Sequence, residues 1–232
     1  MATFVLALAA LLATHSENAP AQPRTEVWAG HQVLLGKRKV PIYGEKDTHT
    51  ENYVIAEVTR TPSRIDIRQR LCRFDFHPIK GVQPSMKQET IARLPTSNIE
   101  LEQKPDGSLS AAPWTTGWGD EDIDGDGFPG ATISISGTSC SGEVHVSNQS
   151  VTTLASGHIT PDGAAGEISV RLKQKVLSAK GFCLKLMAGD SDETQNGWFS
   201  YRRIPPGSTC QSLVGTPWPA KVTPPLPEIS AP

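Results

Sequence analysis

The most chemically distinctive stretch of the sequence is DEDIDGDGFPG, residues 120–130. Five of its first seven residues carry carboxylates, and three glycines and a proline complete it. Carboxylates spaced two residues apart on a turning backbone suit Ca²⁺, which prefers about six to eight oxygen ligands. The closely spaced charges repel one another, and a bound cation relieves that repulsion. The predicted metal ligands are Asp120, Asp122, Asp124, Asp126 and the carbonyl oxygen of Phe128.

The spacing of this loop excludes an EF-hand. In the register that begins at Asp122, a glycine falls at position 6, where the sharp turn needs it. Position 12 is then Ile133 instead of a bidentate glutamate, and the register that begins at Asp120 places Ala131 there. A strand pattern follows the loop, whereas an EF-hand needs a helix on each side. The loop therefore predicts a calcium-stabilised turn and not an EF-hand sensor.

The loop resembles the Asp-rich D-x-D-x-D-G-x-P turns of extracellular calcium modules, such as the type 3 repeats of thrombospondin. The match covers about ten residues. It implies calcium binding, with the dissociation constants of about 10⁻⁴–10⁻³ M that are typical of extracellular modules, but no biological role. A solvated acidic connector is the alternative interpretation. A catalytic carboxylate pair is disfavoured, because glycosidase carboxylates come from separate elements that face a cleft.

The rest of the sequence gives little support for catalytic or zinc chemistry. No two histidines form an H-x-H or H-x-x-x-H pair, so a zinc site would have to combine histidines from distant segments. His145 lies on the polar phase of its segment, which predicts a position at solvent or at a barrel mouth. The segment GTSCSG, residues 137–142, is not a G-x-S-x-G nucleophile elbow, and we expect a turn there. We expect that the protein is not an enzyme. The histidines beyond residue 21 are His31, His49, His77, His145 and His158.

The four cysteines predict disulfide bonds. An even number of cysteines in an exported protein favours two disulfides, for which three connectivities exist. The C-x-x-C spacing of zinc knuckles and thioredoxin-type redox sites does not occur. We favour the pair Cys140–Cys183, which would join neighbouring strands, and the pair Cys72–Cys210, which would hold the C-terminal tail.

Both ends of the sequence differ in composition from the middle. An apolar run over residues 4–13 precedes the triplet Ala19-Pro20-Ala21, which predicts a signal peptide of residues 1–21 and a secreted or periplasmic protein. The run is too short to span about 30 Å of hydrocarbon, so we expect no transmembrane segment after signal cleavage. Residues 205–232 contain eight prolines. Their composition predicts an extended, mostly disordered tail.

The elements that must position these groups are β-strands. Most apolar segments alternate with polar residues, as in ATISIS, where Ile133 and Ile135 alternate with polar neighbours. Turn signals separate the segments at Pro105-Asp106-Gly107, Pro161-Asp162-Gly163 and Asn196-Gly197. In residues 64–76 the apolar phase shifts, which predicts a β-bulge near Arg70. The other strand segments are EVWAGHQVLL, NYVIAEV, GEVHVS, EISVRLKQKVL, FCLKLM and GWFSYRRI.

These patterns predict an all-β domain over residues 23–204. Eight to ten short strands at close spacing favour an antiparallel up-and-down barrel of calycin-like type, with a β-sandwich as the alternative. The chain has 22 basic and 24 acidic residues, and five of the acidic ones lie in the loop at 120–126. The remaining charges are mixed and form no Lys/Arg run, so we expect no nucleic-acid partner.

The first and last strand segments resemble those of lipocalins. Trp28 lies in VWAG and the pair Arg202-Arg203 lies in SYRRI, and in lipocalin-like barrels a tryptophan of the first strand packs under an arginine of the last. The layout of residues 25–204 also resembles uncharacterised exported β-rich proteins of predatory soil bacteria. They share the W-x-G strand, the DxDGDGxPG loop and the final F-x-Y strand, and this resemblance implies no known activity.

Two functions follow from these expectations. The first is an exported binding or structural module whose Asp-rich loop is stabilised by calcium. The alternative, implied by the lipocalin resemblance, is a carrier that holds a small apolar ligand in the barrel interior. No protein partner is indicated by the sequence.

Overall fold

A computed structural model describes residues 23–41, 44–79, 81–138 and 140–222 of the chain. The predicted signal peptide, residues 1–21, lies outside the described residues. Within them the chain forms β1 (Arg24–Val40), β2 (Gly44–Arg60), β3 (Arg64–Phe76), β4 (Val82–Met86), α1 (Gln88–Arg93), β5 (Ser97–Gln103), β6 (Leu109–Ser110), β7 (Trp114–Trp118), β8 (Ala131–Gly137), β9 (Gly142–Thr160), β10 (Gly163–Lys180), α2 (Phe182–Met187), β11 (Ser191–Ile204) and α3 (Cys210–Leu213).

The strands belong to one antiparallel sheet that curls into a barrel-like wall, called the barrel below. The order across the sheet is β4-β8-β9-β10-β11-β1-β2-β3-β5-β6, and β7 pairs with β9. Near the β6 end the sheet returns to β9, because Ser108 forms an isolated bridge with His158. The prediction of an all-β, barrel-like fold is confirmed, and the single sheet is not the pair of packed sheets that a β-sandwich needs.

Burial follows the two-residue period inside this wall. One core cluster fills the end of the barrel near Trp28, with Ile65, Ile67 and Tyr201 among its members. A second cluster lies between β8, β9, α1 and α2, around Ile133 and neighbouring side chains. A binding site can form in the rest of the interior. This space lies between the two clusters and the hairpin that joins β1 to β2.

Two sequence predictions about elements are wrong. FCLKLM, expected to be a strand, is helix α2, because β10 ends at Lys180, Gly181 (φ 112°) precedes the helix, and a short, mostly apolar segment fits either period. Asn196-Gly197, expected to be a hairpin turn, lies inside β11 and is paired on both sides. The glycine serves close strand approach there, since a Cβ at Gly197 would overlap the carbonyl oxygen of Val33.

The register irregularity of β3 lies close to its predicted position. Val54 of β2 is opposite Leu71, and Tyr53 is opposite Arg73, so Cys72 is the extra residue between them. This places the irregularity two residues beyond Arg70. The extra residue restores the inward direction of the apolar side chains after the phase shift.

Within the predicted disordered tail, residues 205–222 have defined contacts, and residues 223–232 lie outside the described residues. Trp218 donates its indole N–H to the carbonyl oxygen of Gly30 at 3.0 Å, and its ring meets Tyr53 edge-on with centroids 5.5 Å apart. Ala220 is almost fully buried. We call residues 205–222 the strap. Composition alone missed these contacts, because a few large side chains between prolines suffice to fix a short segment.

Both disulfides join the pairs that the sequence favours. Cys72–Cys210 ties the strap to β3 with a Cα–Cα distance of 5.2 Å, and Cys140–Cys183 ties the residues before β9 to α2 with 5.7 Å. All four cysteines lie in the described part of the chain and none is free there. In the same part, no helix combines the length and apolarity that crossing a bilayer requires.

Candidate functional site

The acidic loop brings three of the predicted ligands together. Carboxylate oxygens of Asp122, Asp124 and Asp126 lie within 4.8 Å of one another. The loop's own backbone orders them: Asp122 accepts hydrogen bonds from the N–H groups of Gly125 (2.7 Å) and Gly127 (2.9 Å). These backbone hydrogen bonds lower the pKa of Asp122, the Gly127 N–H most strongly. The three carboxylates therefore converge, and the lowered pKa keeps Asp122 ionised at neutral pH.

Asp124 is the ligand candidate best placed for a cation. Its Oδ2 accepts hydrogen bonds from the Thr132 N–H at 2.9 Å and from the Thr90 hydroxyl at 3.0 Å. Its Oδ1 is buried and has no hydrogen-bond partner. A buried carboxylate oxygen without a donor is costly, and a cation would satisfy it.

One predicted ligand, Asp120, lies apart from this triad, and the side chain of Phe128 packs on residues outside it. Asp120 is not among the converging carboxylates, and its Oδ2 is 3.5 Å from the Lys175 ammonium. The Phe128 ring stacks on His145 at 4.4 Å, with the Lys180 ammonium 3.6 Å from its centroid. His145 was expected at solvent or at a barrel mouth, but it is fully buried, and its Nδ1 lies 2.6 Å from the Ser178 hydroxyl.

The barrel encloses a cavity of about 400 Å³. Every second residue of the central strands points into it, which produces a mixed lining. Apolar side chains come from β1, β3 and β10, including Leu34, Leu71 and Val170. Trp114 and Trp118 of β7 also line the cavity. A volume of this size is typical of small-molecule sites, which lie between about 300 and 1,000 Å³.

A hydrogen-bonded polar group lies deep in the cavity, towards the end near Trp28. The Tyr201 hydroxyl donates to Gln69 Oε1. Asn52 Nδ2 donates to Gln32 Oε1 at 3.3 Å, and Gln32 Nε2 lies 3.5 Å from the Tyr201 oxygen. Burial raises the pKa of Tyr201, so the phenol is neutral. Because these polar groups are hydrogen-bonded to one another, this end of the cavity needs no ligand to supply hydrogen-bond partners.

The end near the β1–β2 hairpin, called the hairpin end below, is different, because its polar atoms lack partners. Four buried side-chain atoms have no hydrogen bond in the described structure, and all four of their residues line the cavity. Strand register places Thr48 of β2 level with Gln195 of β11, two residues from Glu193, since Gly36 of β1 is opposite both. The four atoms are Arg38 Nε, Thr48 Oγ1, His49 Nε2 and Glu193 Oε2.

Glu193 is the most unusual of these residues. Its side chain is 5 % exposed, and Oε1 accepts from Gln195 Nε2 at 3.1 Å and lies 4.0 Å from Arg38 Nε. Burial raises the pKa of the Glu193 carboxyl, and the nearby Arg38 charge only partly offsets this effect. Arg38 in turn donates from Nη2 to the Ser191 hydroxyl at 2.7 Å. This incompletely satisfied ion pair faces the cavity.

A second polar cluster surrounds Glu51 of β2. Its Oε2 lies 2.9 Å from His31 Nε2 and accepts from the Tyr53 hydroxyl at 2.6 Å. Its Oε1 lies 3.0 Å from His77 Nε2 and 3.6 Å from His49 Nε2. The rings of His49 and His77 stack with centroids 3.5 Å apart. We call His49, Glu51 and His77 the histidine–glutamate cluster.

The strap and the β-ladder fix the groups around this cluster. His31 Nδ1 accepts a hydrogen bond from the Val222 N–H at 2.9 Å, so the ring hydrogen lies on Nε2 and points to Glu51. Burial opposes ionisation of Glu51, but hydrogen bonds from Tyr53, His77 and His31 outweigh it and lower the pKa of Glu51 to about 2. The cluster thus holds a carboxylate.

Sequence reasoning did not find this cluster and the histidine that supports it, because these residues come from three segments of the chain. His31 lies in β1, His49 in β2 and His77 just after β3, where its N–H donates to the carbonyl oxygen of His49 at 3.0 Å. The only local signal is the spacing of His49 and Glu51, two residues apart on one strand face. Strand register, which the sequence does not specify, supplies the third residue.

The lipocalin resemblance predicted that an arginine of the last strand would cover the tryptophan at the base of the barrel, but an arginine of β2 does so. Trp28 is fully buried and lies opposite Arg203 in the sheet. Its indole N–H donates to Glu26 at 2.7 Å, and Arg203 Nε donates to the same carboxylate oxygen at 3.0 Å. The guanidinium above its ring belongs to Arg60 of β2, 5.8 Å from the centroid.

No protein-family model, curated protein or solved structure matches this chain. The resemblances to lipocalins and to exported proteins of predatory soil bacteria remain predictions. The functional proposals therefore stand on the geometry of the barrel.

Proposed function

We propose that the protein is an exported binding protein that holds a small amphipathic molecule inside its barrel. The observation that carries this proposal is the cavity of about 400 Å³ whose hairpin end holds buried polar atoms without partners. Native proteins rarely leave such atoms unsatisfied, so they indicate groups that a ligand completes. The two disulfides favour an oxidising compartment. The proposed role is binding and not catalysis.

The lining restricts the chemistry of the ligand. Apolar walls around Leu34, Leu71 and Val170 suit a hydrocarbon or aromatic body. At the hairpin end Arg38 offers an N–H donor and Glu193 a carboxylate acceptor, and their charges offset each other. A ligand group there gains most if it is neutral and both donates and accepts, as a hydroxyl, a carboxamide or a protonated acid does. The purely apolar ligand of the lipocalin expectation would leave these atoms unpaired.

Filling the cavity tests the proposal. Val170 lines the cavity and is 6 % exposed, so Val170→Phe should occupy the space of the ligand. We expect the neutral fluorescent amphiphile N-phenyl-1-naphthylamine to bind the wild-type protein, with changed emission of Trp114 and Trp118 in the cavity wall. Val170→Phe should weaken this binding at least tenfold, which is about 1.4 kcal/mol.

Val151 provides the matched control for this experiment. It lies on the adjacent strand β9, opposite Arg171, and is 37 % exposed. Val151→Phe should leave the affinity for the probe unchanged. Circular dichroism checks that both variants keep their strands. A wild-type protein that does not bind the probe, or equal binding by Val170→Phe and the wild type, contradicts the proposal.

We also propose that calcium stabilises the acidic loop. The support for this second proposal is the convergence of Asp122, Asp124 and Asp126 and the unpaired Oδ1 of Asp124. With a dissociation constant of about 10⁻⁴–10⁻³ M, calcium at several millimolar should raise the free energy of unfolding by about 1–2 kcal/mol. The melting temperature should then rise by about 2–8 °C for a domain of this size.

Asp124→Asn is the most discriminating variant for testing calcium binding by the loop. The amide keeps an oxygen for the Thr90 and Thr132 donors and removes the charge. We expect the calcium-induced rise in melting temperature to disappear in Asp124→Asn and to persist in Asp162→Asn, which changes an exposed carboxylate outside the loop. An unchanged melting temperature of the wild type in millimolar calcium would leave the solvated acidic connector as the correct interpretation.

A further inference from the structure

The histidine–glutamate cluster has the ligand geometry of a transition-metal site. Ligand atoms of His49, Glu51 and His77 all lie within 4.8 Å of one another. In a tetrahedral site with bonds of about 2.0–2.1 Å, neighbouring ligand atoms are about 3.3–3.4 Å apart. Here Glu51 Oε1 lies 3.6 Å from His49 Nε2 and 3.0 Å from His77 Nε2. Shifts of a few tenths of an ångström would bring both distances to that value. One of the two imidazole rings, which stack with centroids 3.5 Å apart, must also turn so that both nitrogen lone pairs point at one ion.

An independent observation marks the position of the ion. His49 Nε2 is buried and has no hydrogen-bond partner. Glu51 Oε1 is 3.6 Å away, which is too long for a hydrogen bond. A buried imidazole nitrogen without a partner costs free energy. A metal ion would satisfy His49 Nε2 and would replace the present contact between His77 Nε2 and Glu51 Oε1.

The second carboxylate oxygen of Glu51, Oε2, is already held by neighbouring side chains. Glu51 Oε2 interacts with His31 and Tyr53, and His31 is held by the Val222 N–H of the strap. Hydrogen bonds of this kind orient metal-binding carboxylates in known sites. Oε1 is therefore left directed towards His49 and His77.

We propose that His49, Glu51 and His77 bind a divalent transition-metal ion of the zinc class. Two imidazoles and one carboxylate suit zinc, whereas calcium requires oxygen ligands. Three protein ligands leave a fourth position for water or another donor. His49 and His77 also line the cavity, so this position lies at its rim. The site does not require the barrel to hold a ligand, and it goes beyond the proposed binding function.

Zinc titration of the chelator-treated full-length protein at neutral pH tests the proposal. A chromophoric zinc chelator in competition reports the affinity and the stoichiometry. We expect one tight equivalent in the wild type and a loss of affinity of at least tenfold in His77→Ala and in His49→Ala. Cobalt(II) in place of zinc should give the visible absorption of a four-coordinate ion, which a purely structural role of the histidines would not produce.

Two variants serve as controls. His158 is exposed on β9, and His158→Ala should bind zinc as the wild type does. Asp124→Asn should do so as well, because the acidic loop contributes no ligand to this site. Circular dichroism without metal establishes that each variant is folded, and His77→Ala is the safer one because His77 is 44 % exposed.

Either of two results overturns the proposal. One is a wild-type protein that takes up no zinc at micromolar concentrations. The other is a folded double variant, His49→Ala with His77→Ala, that retains the wild-type affinity. Probe binding in the cavity can persist in both cases, so the proposed function would be unaffected.

Discussion

At the scale of single residues, Glu193 combines a stability cost with a proposed binding role. Its buried carboxyl faces the cavity with one oxygen unpaired, and its only charged neighbour in the described structure is Arg38 at 4.0 Å. Binding sites commonly keep such groups, because a ligand satisfies what the free protein leaves incomplete. Glu193 is therefore the residue at which ligand binding and folding stability are expected to oppose each other.

The pH dependence of stability should reveal this cost. Burial, which dominates over Arg38, raises the folded-state pKa of Glu193 above its ordinary value. The folded protein thus binds more protons than the unfolded chain between the ordinary pKa, about 4.5, and the folded pKa. The free energy of unfolding contributed by Glu193 is highest below pH 4.5 and decreases as the pH rises through this window.

Glu193→Gln removes this titration. The stability of the variant relative to the wild type should increase from pH 4 to pH 8, as measured by urea unfolding at each pH. Glu167, an exposed glutamate of the neighbouring strand β10, supplies the matched control variant Glu167→Gln. A stability difference for Glu193→Gln that stays constant over this range would show that the buried carboxyl carries no such cost.

At the scale of elements, alternation found β3 and β8, missed β5 although Ile99 and Leu101 are packed in the core, and missed strand halves that line the cavity. ATISIS lies within β8, and the segment at 64–76 is β3. The apolar pattern predicted only the second half of β11, because Glu193 and Gln195 point into the cavity and make both faces polar. For the same reason, the apolar pattern did not predict the half of β2 that is nearest the hairpin. Polar residues that line a cavity therefore interrupt the apolar alternation by which strands are recognised in a sequence.

Gly197 illustrates how tightly β1 and β11 approach each other. The residue is opposite Leu34 of β1 and Ile168 of β10, and an added Cβ would overlap the carbonyl oxygen of Val33. We expect Gly197→Ala to lower the free energy of unfolding by about 1–3 kcal/mol through this overlap. Denaturant unfolding measures the loss.

Gly189 is the matched control for this substitution. An added Cβ there would meet only Pro41 Cγ at 3.5 Å, an ordinary contact. Gly189→Ala should change the free energy of unfolding by no more than about 0.5 kcal/mol. Equal effects of the two substitutions would contradict the role assigned to close strand approach.

At the scale of the whole molecule, the strap connects the end of the chain to the histidine–glutamate cluster. Cys210 is bonded to Cys72 of β3, Trp218 packs on Tyr53, and the Val222 N–H holds His31. The sequence predicted the disulfide but not the packing of the strap. Its contacts depend on where three separate strands place their outward side chains, and composition does not contain that information.

Removing the strap disulfide should destabilise the whole domain. Its two cysteines are 138 residues apart in sequence, so the bond restricts a long loop of the unfolded chain. The double variant Cys72→Ala with Cys210→Ala should lose about 2–5 kcal/mol of unfolding free energy. Thermal unfolding should then begin about 4–20 °C lower. A melting temperature equal to that of the wild type would mean that the other strap contacts alone hold the tail.

The pairing of the first strand with the last determines when the barrel can close. Residues Val27–Gly36 of β1 bond to residues Gln195–Ile204 of β11, so this seam joins segments separated by almost the entire domain. Contacts of such long sequence separation slow folding, because the chain must lose loop entropy before they form. During synthesis β1 has no β11 to pair with until residue 204 has left the ribosome. The cavity therefore exists only after β11 has been synthesised and has paired with β1.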